Sequence, residues 1–174
     1  MNKRVNIIYI SLTGITDDCC KAVAEGVREA GGEPRLIKAN ESKGVSDVLD
    51  CDAVVFGTGN YFGYMEGMLK HWYDLYQIPV KKAVKKGDLP WKPYFNISTG
   101  GWNVDKPMVI MEYLNWGMRL KKVFPYVTYM GKGPASPEAL AVCRERGRQL
   151  VEVDVNTAPD LYQPTERQLK AAAS

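Results

Sequence analysis

Apolar and polar positions alternate in blocks from the start of the chain. Residues 5–10 (VNIIYI) form a continuous β-prone apolar run, the pattern of a strand buried on both faces. After a polar loop, Cys20, Val23, Ala24 and Val27 recur at helical spacing until Gly31-Gly32 stop the helix. Residues 35–38 read as a short second strand, and Val45, Val48 and Leu49 as a helical turn. A third strand, AVVFGT, runs from Ala53 to Thr58 and passes into a glycine-rich loop at 57–63. Met65, Met68, Leu69, Trp72, Tyr73 and Tyr76 make a helical stripe, and residues 77–93 read as a basic, proline-bearing connection. Residues 94–99 (YFNIST) are a fourth strand. Pro107 suits the first turn of the helix that carries Ile110, Leu114, Gly117 and Met118. Residues 126–130 (YVTYM) are a fifth strand, and Leu140, Cys143, Leu150, Val151 and Asp154 trace a last helix.

Five β-α units of this kind predict an α/β fold with a five-stranded parallel sheet covered by helices on both faces. The expected domain spans 1–155, with 156–174 as a polar, peripheral tail. In such sheets ligands bind beyond the carboxyl ends of the strands. Three loops leave those ends carrying Gly, Ser, Thr and aromatic residues: 11–16, 58–63 and 99–103. They are expected to converge on one crevice.

Composition narrows the field. The 174 residues are 45% hydrophobic and 25% charged, which fits one globular domain and excludes a disordered or fibrous chain. A net charge of +3 is too small to argue for nucleic acid. No apolar run reaches the roughly 20 residues of a membrane span, and the run after Met1-Asn2-Lys3-Arg4 is too short for a signal segment, so a cytoplasmic protein is expected. Cys19, Cys20, Cys51 and Cys143 lack zinc spacing and read as buried free thiols, and the single histidine, His71, excludes any histidine cluster.

The first loop carries the sharpest chemistry. Ser11, Thr13 and Thr16 place three hydroxyls around Gly14, between a strand end and a helix start. Free helix N–H groups, the partial positive charge of the helix end and hydroxyl donors together suit a phosphate. Asp17 and Asp18 favour the helix start but would repel an anion if turned inward. An ordinary N-cap loop is the bland alternative. The stretch from Ile7 to Thr16 resembles the signature of the flavodoxin family: two apolar residues, an aromatic, then Ser/Thr, a small residue and Thr at set spacing. Cys20 stands where that pattern has Ala. The resemblance implies a flavodoxin-like three-layer sandwich of strand order 2-1-3-4-5. It implies that Ser11, Leu12, Thr13, Gly14, Ile15 and Thr16 hold the 5′-phosphate of FMN.

The second loop, Thr58, Gly59, Asn60, Tyr61, Phe62 and Gly63, is similar to the flavin-edge loop of the quinone-reductase branch of that superfamily, the tryptophan-repressor-binding-protein type. Phe62, Gly63 and Met65 match, whereas Gly59 and Asn60 replace its Pro-Thr. The third, Thr99, Gly100, Gly101 and Trp102, resembles the Ser-Thr-Gly segment of the same branch and implies contacts to the flavin's ribityl chain and ring. Tyr61, Phe62 and Trp102 are the expected walls of the ring site.

The resemblance implies an FMN flavoprotein that takes electrons from NAD(P)H and passes them to a quinone or similar small acceptor, with no catalytic side chain or metal of its own. An electron shuttle docking to a redox protein is the alternative. Shuttles of this family are typically acidic, and this chain is not. A flavin-free binding module on the same fold is the third reading. Homo-oligomers are implied by the branch alone. The basic segment at Lys81, Lys82, Lys85 and Lys86 reads as a solvated surface, an anion patch or a partner for a nicotinamide cofactor's phosphate.

Overall fold

A computed structural model describes residues 2–162. Strands are β1 (Arg4–Tyr9), β2 (Glu33–Lys38), β3 (Ala53–Tyr61), β4 (Tyr64–Met65), β5 (Lys92–Gly100), β6 (Leu120–Lys122) and β7 (Val127–Met130). Helices are α1 (Ile15–Glu29), α2 (Val45–Leu49), α3 (Gly67–Lys86), α4 (Lys106–Asn115) and α5 (Pro137–Glu152). The sheet runs β2-β1-β3-β5-β6, with β7 also on β5 and β4 on β3. That is the expected 2-1-3-4-5 order, built from more pieces than five. The fifth position is split. β6 pairs with residues 92–94 of β5 and β7 with residues 97–100, both parallel. Pro125 lies in the gap, where a residue without an N–H cannot extend the ladder. The other addition is β4, which pairs antiparallel with the end of β3.

Side chains alternate across the sheet with period two. Val5, Ile7, Tyr9, Val55, Phe95 and Ile97 pack into one apolar cluster with Val23, Val27, Cys143 and Leu150 of α1 and α5. Ile8, Val54, Phe56 and Tyr94 pack into the other with Leu69, Trp72, Tyr73, Met108 and Met111 of α3 and α4. On the first face α1 and α5 approach to backbone contact. A Cβ added at Gly26 would lie 1.8 Å from the Arg144 carbonyl oxygen, and one at Gly147 would lie 2.1 Å from that of Val23.

Two segments differ from the sequence reading. Residues 77–86 are helical although they contain Pro79. Val80 and Val84 extend the buried stripe of α3 at helical spacing, while Pro79 faces outward. Burying those side chains outweighs a penalty of about 3 kcal/mol for an internal proline. Residues 58–61 are strand rather than loop, turned back at Phe62 and Gly63 into β4. Both turn residues have positive φ (55° and 83°), as a two-residue hairpin turn of this hand requires.

Candidate functional site

The carboxyl ends of β1, β3, β5 and β7 open onto one cleft of ≈ 580 Å³. Its lining brings together Thr13 and Ile15 from the first loop, Gly59, Asn60 and Tyr61 from β3, and Thr99, Gly100 and Gly101 from β5. All eight were expected from sequence. The cleft has the size of a small-molecule or cofactor site.

The start of α1 is open among the described residues. Its N-cap residue, Gly14, has φ 89° and makes no side-chain cap; α2 and α4 also start without one, whereas Glu66 caps α3 through Met68 N (2.7 Å) and Ser136 caps α5 through Ala139 N (3.2 Å). A Cβ added at Gly14 would meet no atom within 4 Å. Ser11 Oγ accepts from Gly14 N (3.1 Å), which folds the loop around the helix end and leaves the first-turn amides of α1 facing outward.

Asp17 does not turn toward this opening. Its carboxylate binds Lys38 Nζ (2.6 Å), Lys21 Nζ (2.7 Å) and the Tyr9 hydroxyl, and Lys38 also lies over the Tyr9 ring (4.1 Å). Partial burial favours the neutral acid, but hydrogen bonds from Lys21, Lys38 and Tyr9 outweigh it and hold the carboxyl well below the usual carboxylate range. Burial and the bond to Asp17 push the Tyr9 hydroxyl up. Because the folded acid is the stronger one, its contribution is complete above the unfolded value near 3.9 and is lost as pH falls below it. Asp17→Asn is therefore expected to cost about 1 kcal/mol in urea unfolding at neutral pH, with the difference vanishing in strong acid. An unchanged difference at both pH values would show that the pair contributes no charge term.

The remaining expected residues lie around the cleft rather than in its lining. Thr16 is buried, and its Oγ1 shares a hydrogen bond with Thr99 Oγ1 (2.8 Å), tying the first turn of α1 to the end of β5. Thr58 is buried too. Its hydroxyl donates to Gly59 O (2.8 Å) and accepts from Glu66 N (2.9 Å), which locks the hairpin. Gly63 and the exposed Leu12, Phe62 (97% accessible) and Trp102 (54%) are not among the residues that line the cleft. The rim is joined across strands: Asn60 Nδ2 donates to the Trp102 carbonyl, while Asn60 Oδ1 is buried without a partner. Tyr61 folds back over Gly59, where a Cβ would lie 2.6 Å from the ring.

Sequence reasoning missed the fourth wall, residues 131–134 after β7, together with Asp18. The signal was present in Gly131-Lys132-Gly133-Pro134, a small-residue loop leaving a strand end like the other three. Gly131 N bonds Gly100 O (2.8 Å), and the Lys132 side chain approaches Gly101. Asp18 is the single carboxylate in the lining, and Lys132 the single lysine. Among the described residues no group of His, Cys, Asp or Glu is arranged to hold a metal, and no helix is long and apolar enough to cross a membrane.

No family model matches the chain. It is 28% identical to a flavodoxin of Aquifex aeolicus over 167 residues, covering 86% of this chain and 85% of that protein. It is 31% and 30% identical to proteins named NAD(P)H dehydrogenase (quinone) from Afipia carboxidovorans and Archaeoglobus fulgidus, over 90 and 96 residues. Those matches cover 41% of this chain and 45% and 50% of the relatives, so the likeness spans about half their length. An archaeal flavodoxin structure superposes with TM-score 0.70 at 15% identity, covering 86% of this chain and 96% of that one. A WrbA-like flavodoxin structure from Agrobacterium tumefaciens gives 0.68 at 20% identity, covering 87% and 96%. Strand order, the position of the cleft and these resemblances agree that the chain is a protein of the flavodoxin-like fold, related in sequence to flavodoxin and to NAD(P)H dehydrogenase (quinone).

Proposed function

We propose that the protein binds FMN in this cleft and acts as an NAD(P)H-dependent two-electron reductase of quinones or similar small acceptors. One observation carries the cofactor assignment: the uncapped start of α1 opens at the same cleft as the glycine-rich ends of β3 and β5. The residues present fit the group. Thr13, Ser11 and the amides of residues 12–16 other than Gly14, whose N–H is donated to Ser11 Oγ, supply neutral donors for a terminal phosphate, with the helix dipole behind them. Asn60 Oδ1, an acceptor left without a partner, fits a ring that carries an N–H. Gly101, whose missing side chain leaves open space, lets the backbone approach a flat ligand, and Tyr61 offers aromatic surface in the lining, with Phe62 and Trp102 exposed outside it. Bound FMN would supply the redox chemistry, with NAD(P)H and a proton reducing a quinone to its quinol. The chain's own part is to hold the phosphate, fix the ring edge and leave the rim open to small reactants.

The charge of the rim favours the reductase reading. The lining holds one carboxylate, Asp18, and one lysine, Lys132, and so offers no acidic collar for a basic redox protein. The shuttle reading is favoured by the likeness to flavodoxin over most of the chain. Anaerobic stopped-flow mixing of the FMN-loaded protein with NADH and NADPH separates the two. Direct bleaching of the flavin, followed by reoxidation with a soluble quinone, is the expected result. Bleaching that requires a separate reductase protein assigns the shuttle instead.

A further inference from the structure

The basic segment of α3 has no place in the cleft. α3 starts beside the cleft, at the carboxyl end of β3, and returns to the amino end of β5. Twenty residues at 1.5 Å each carry its last turns about 30 Å from its start. Lys82, Lys85 and Lys86 therefore lie at the far end of the molecule from any nicotinamide cofactor bound at the cleft. The first two continue a single outward stripe: Leu75, Ile78, Lys82 and Lys85 follow one another at spacings of three and four. Leu75 is 48% and Ile78 57% accessible, and Tyr113 on the neighbouring α4 is 59% accessible. Gln77 Nε2 bonds the Leu114 carbonyl (2.6 Å), so α4 lies alongside this part of the stripe.

The neighbouring cations are already engaged. Lys81 is half-buried over the Trp116 ring (5.5 Å), Lys70 pairs with Asp74, and Arg119 pairs with Asp88. Lys82, Lys85 and Lys86 have no carboxylate within ion-pair distance among the described residues. α3 thus presents large aliphatic side chains in mid-helix and unneutralised lysines at one end of the same face. A polynucleotide would use the charge but leave Leu75 and Ile78 against water or phosphate. An anionic bilayer surface uses both, with aliphatic groups entering the headgroup boundary and lysine stems reaching to phosphate.

We propose that the outer face of α3, with Tyr113 of α4, is a peripheral docking surface for an anionic lipid bilayer. The surface is separate from the cofactor cleft, so this stands whether or not the FMN reading does. The test is co-sedimentation of the full-length protein with phosphatidylcholine vesicles, with and without phosphatidylglycerol. Binding is expected only to the phosphatidylglycerol vesicles, and loss is expected in about 1 M salt. Each lysine contributes about five-fold, so the combined Lys82→Gln, Lys85→Gln, Lys86→Gln variant should bind on the order of 100-fold more weakly. Leu75→Ser with Ile78→Ser should also weaken binding while leaving the circular dichroism spectrum unchanged. Equal sedimentation with neutral and anionic vesicles, or none with either, overturns the proposal. So does retained binding in the lysine variant. A dimer in solution that dissociates on Leu75→Ser with Ile78→Ser, without vesicle binding, assigns the face to a second copy. Tighter binding to duplex DNA than to the vesicles assigns it to nucleic acid.

Discussion

FMN is expected to bind at least roughly 100-fold more tightly than riboflavin, and Thr13→Ala is expected to remove a large part of that difference while leaving riboflavin binding nearly unchanged. The two ligands differ only by the phosphate, so their ratio isolates the contribution of the loop at 11–16. A hydrogen bond to a charged group contributes about 1.5–3 kcal/mol, and a helix end adds up to about 1 kcal/mol. Two such bonds already give that ratio. Thr13 is the hydroxyl to remove because it is exposed and lines the cleft. Thr16 is buried against Thr99, so its substitution mixes ligand binding with the attachment of α1 to β5. Titration of apoprotein by flavin fluorescence gives both constants. Equal affinities for the two ligands, or no response to Thr13→Ala, would reduce the loop to a helix start with no anion role.

Gly147→Ala is expected to destabilise the protein by about 3 kcal/mol, a fall of roughly 6–12 °C in Tm. The added methyl would lie 2.1 Å from the Val23 carbonyl oxygen, and backbone cannot yield as a flexible side chain can. α1 and α5 must separate, opening the contacts of Val23, Val27, Cys143 and Leu150 across the whole face. Gly26→Ala should behave alike, since its Cβ would meet the Arg144 carbonyl oxygen at 1.8 Å. Gly133→Ala is the control. Its Cβ would meet no atom within 4 Å and its φ is not positive, so a change within about 0.5 kcal/mol is expected. Thermal unfolding that ranks Gly147→Ala with Gly133→Ala would show that the helices part without loss.

The apolar runs at 5–10, 53–58 and 94–99 were legible because parallel strands covered on both faces must be apolar almost throughout, and few other elements share that pattern. The flanking helices followed from their 3.6-residue period. The cleft followed from chain order alone, since a β-α succession places every strand-exit loop at one end of the sheet. The errors have physical sources as well. Pro79 and the lysines argued locally for a connection, yet the burial of Val80 and Val84 decided for helix. A propensity acts on one residue, whereas burial is set by neighbours far along the chain. Residues 120–122 form only a three-residue strand, whose single buried apolar residue, Leu120, is too little to register as a run. Pairing with Lys92, Pro93 and Tyr94 is what makes it a strand.

Sequence by itself determined the residue types at the cleft: hydroxyls and glycine at the start of α1, glycines and aromatics at the end of β3, and Thr-Gly-Gly-Trp across the end of β5. Those types are dictated locally, by what a backbone must do to leave a strand, expose its amides and admit a ligand. Tertiary structure decided which of them are free to act. It turned Asp17 onto Lys38 and Lys21, locked Thr16 to Thr99 and Thr58 into the hairpin, and left Thr13, Asn60 Oδ1 and the start of α1 without partners. It also carried Lys82, Lys85 and Lys86 to the other end of the molecule. A side chain's availability depends on the hydrogen-bond and packing partners brought to it across distances such as the 83 positions between Thr16 and Thr99, and only the folded chain establishes those partners.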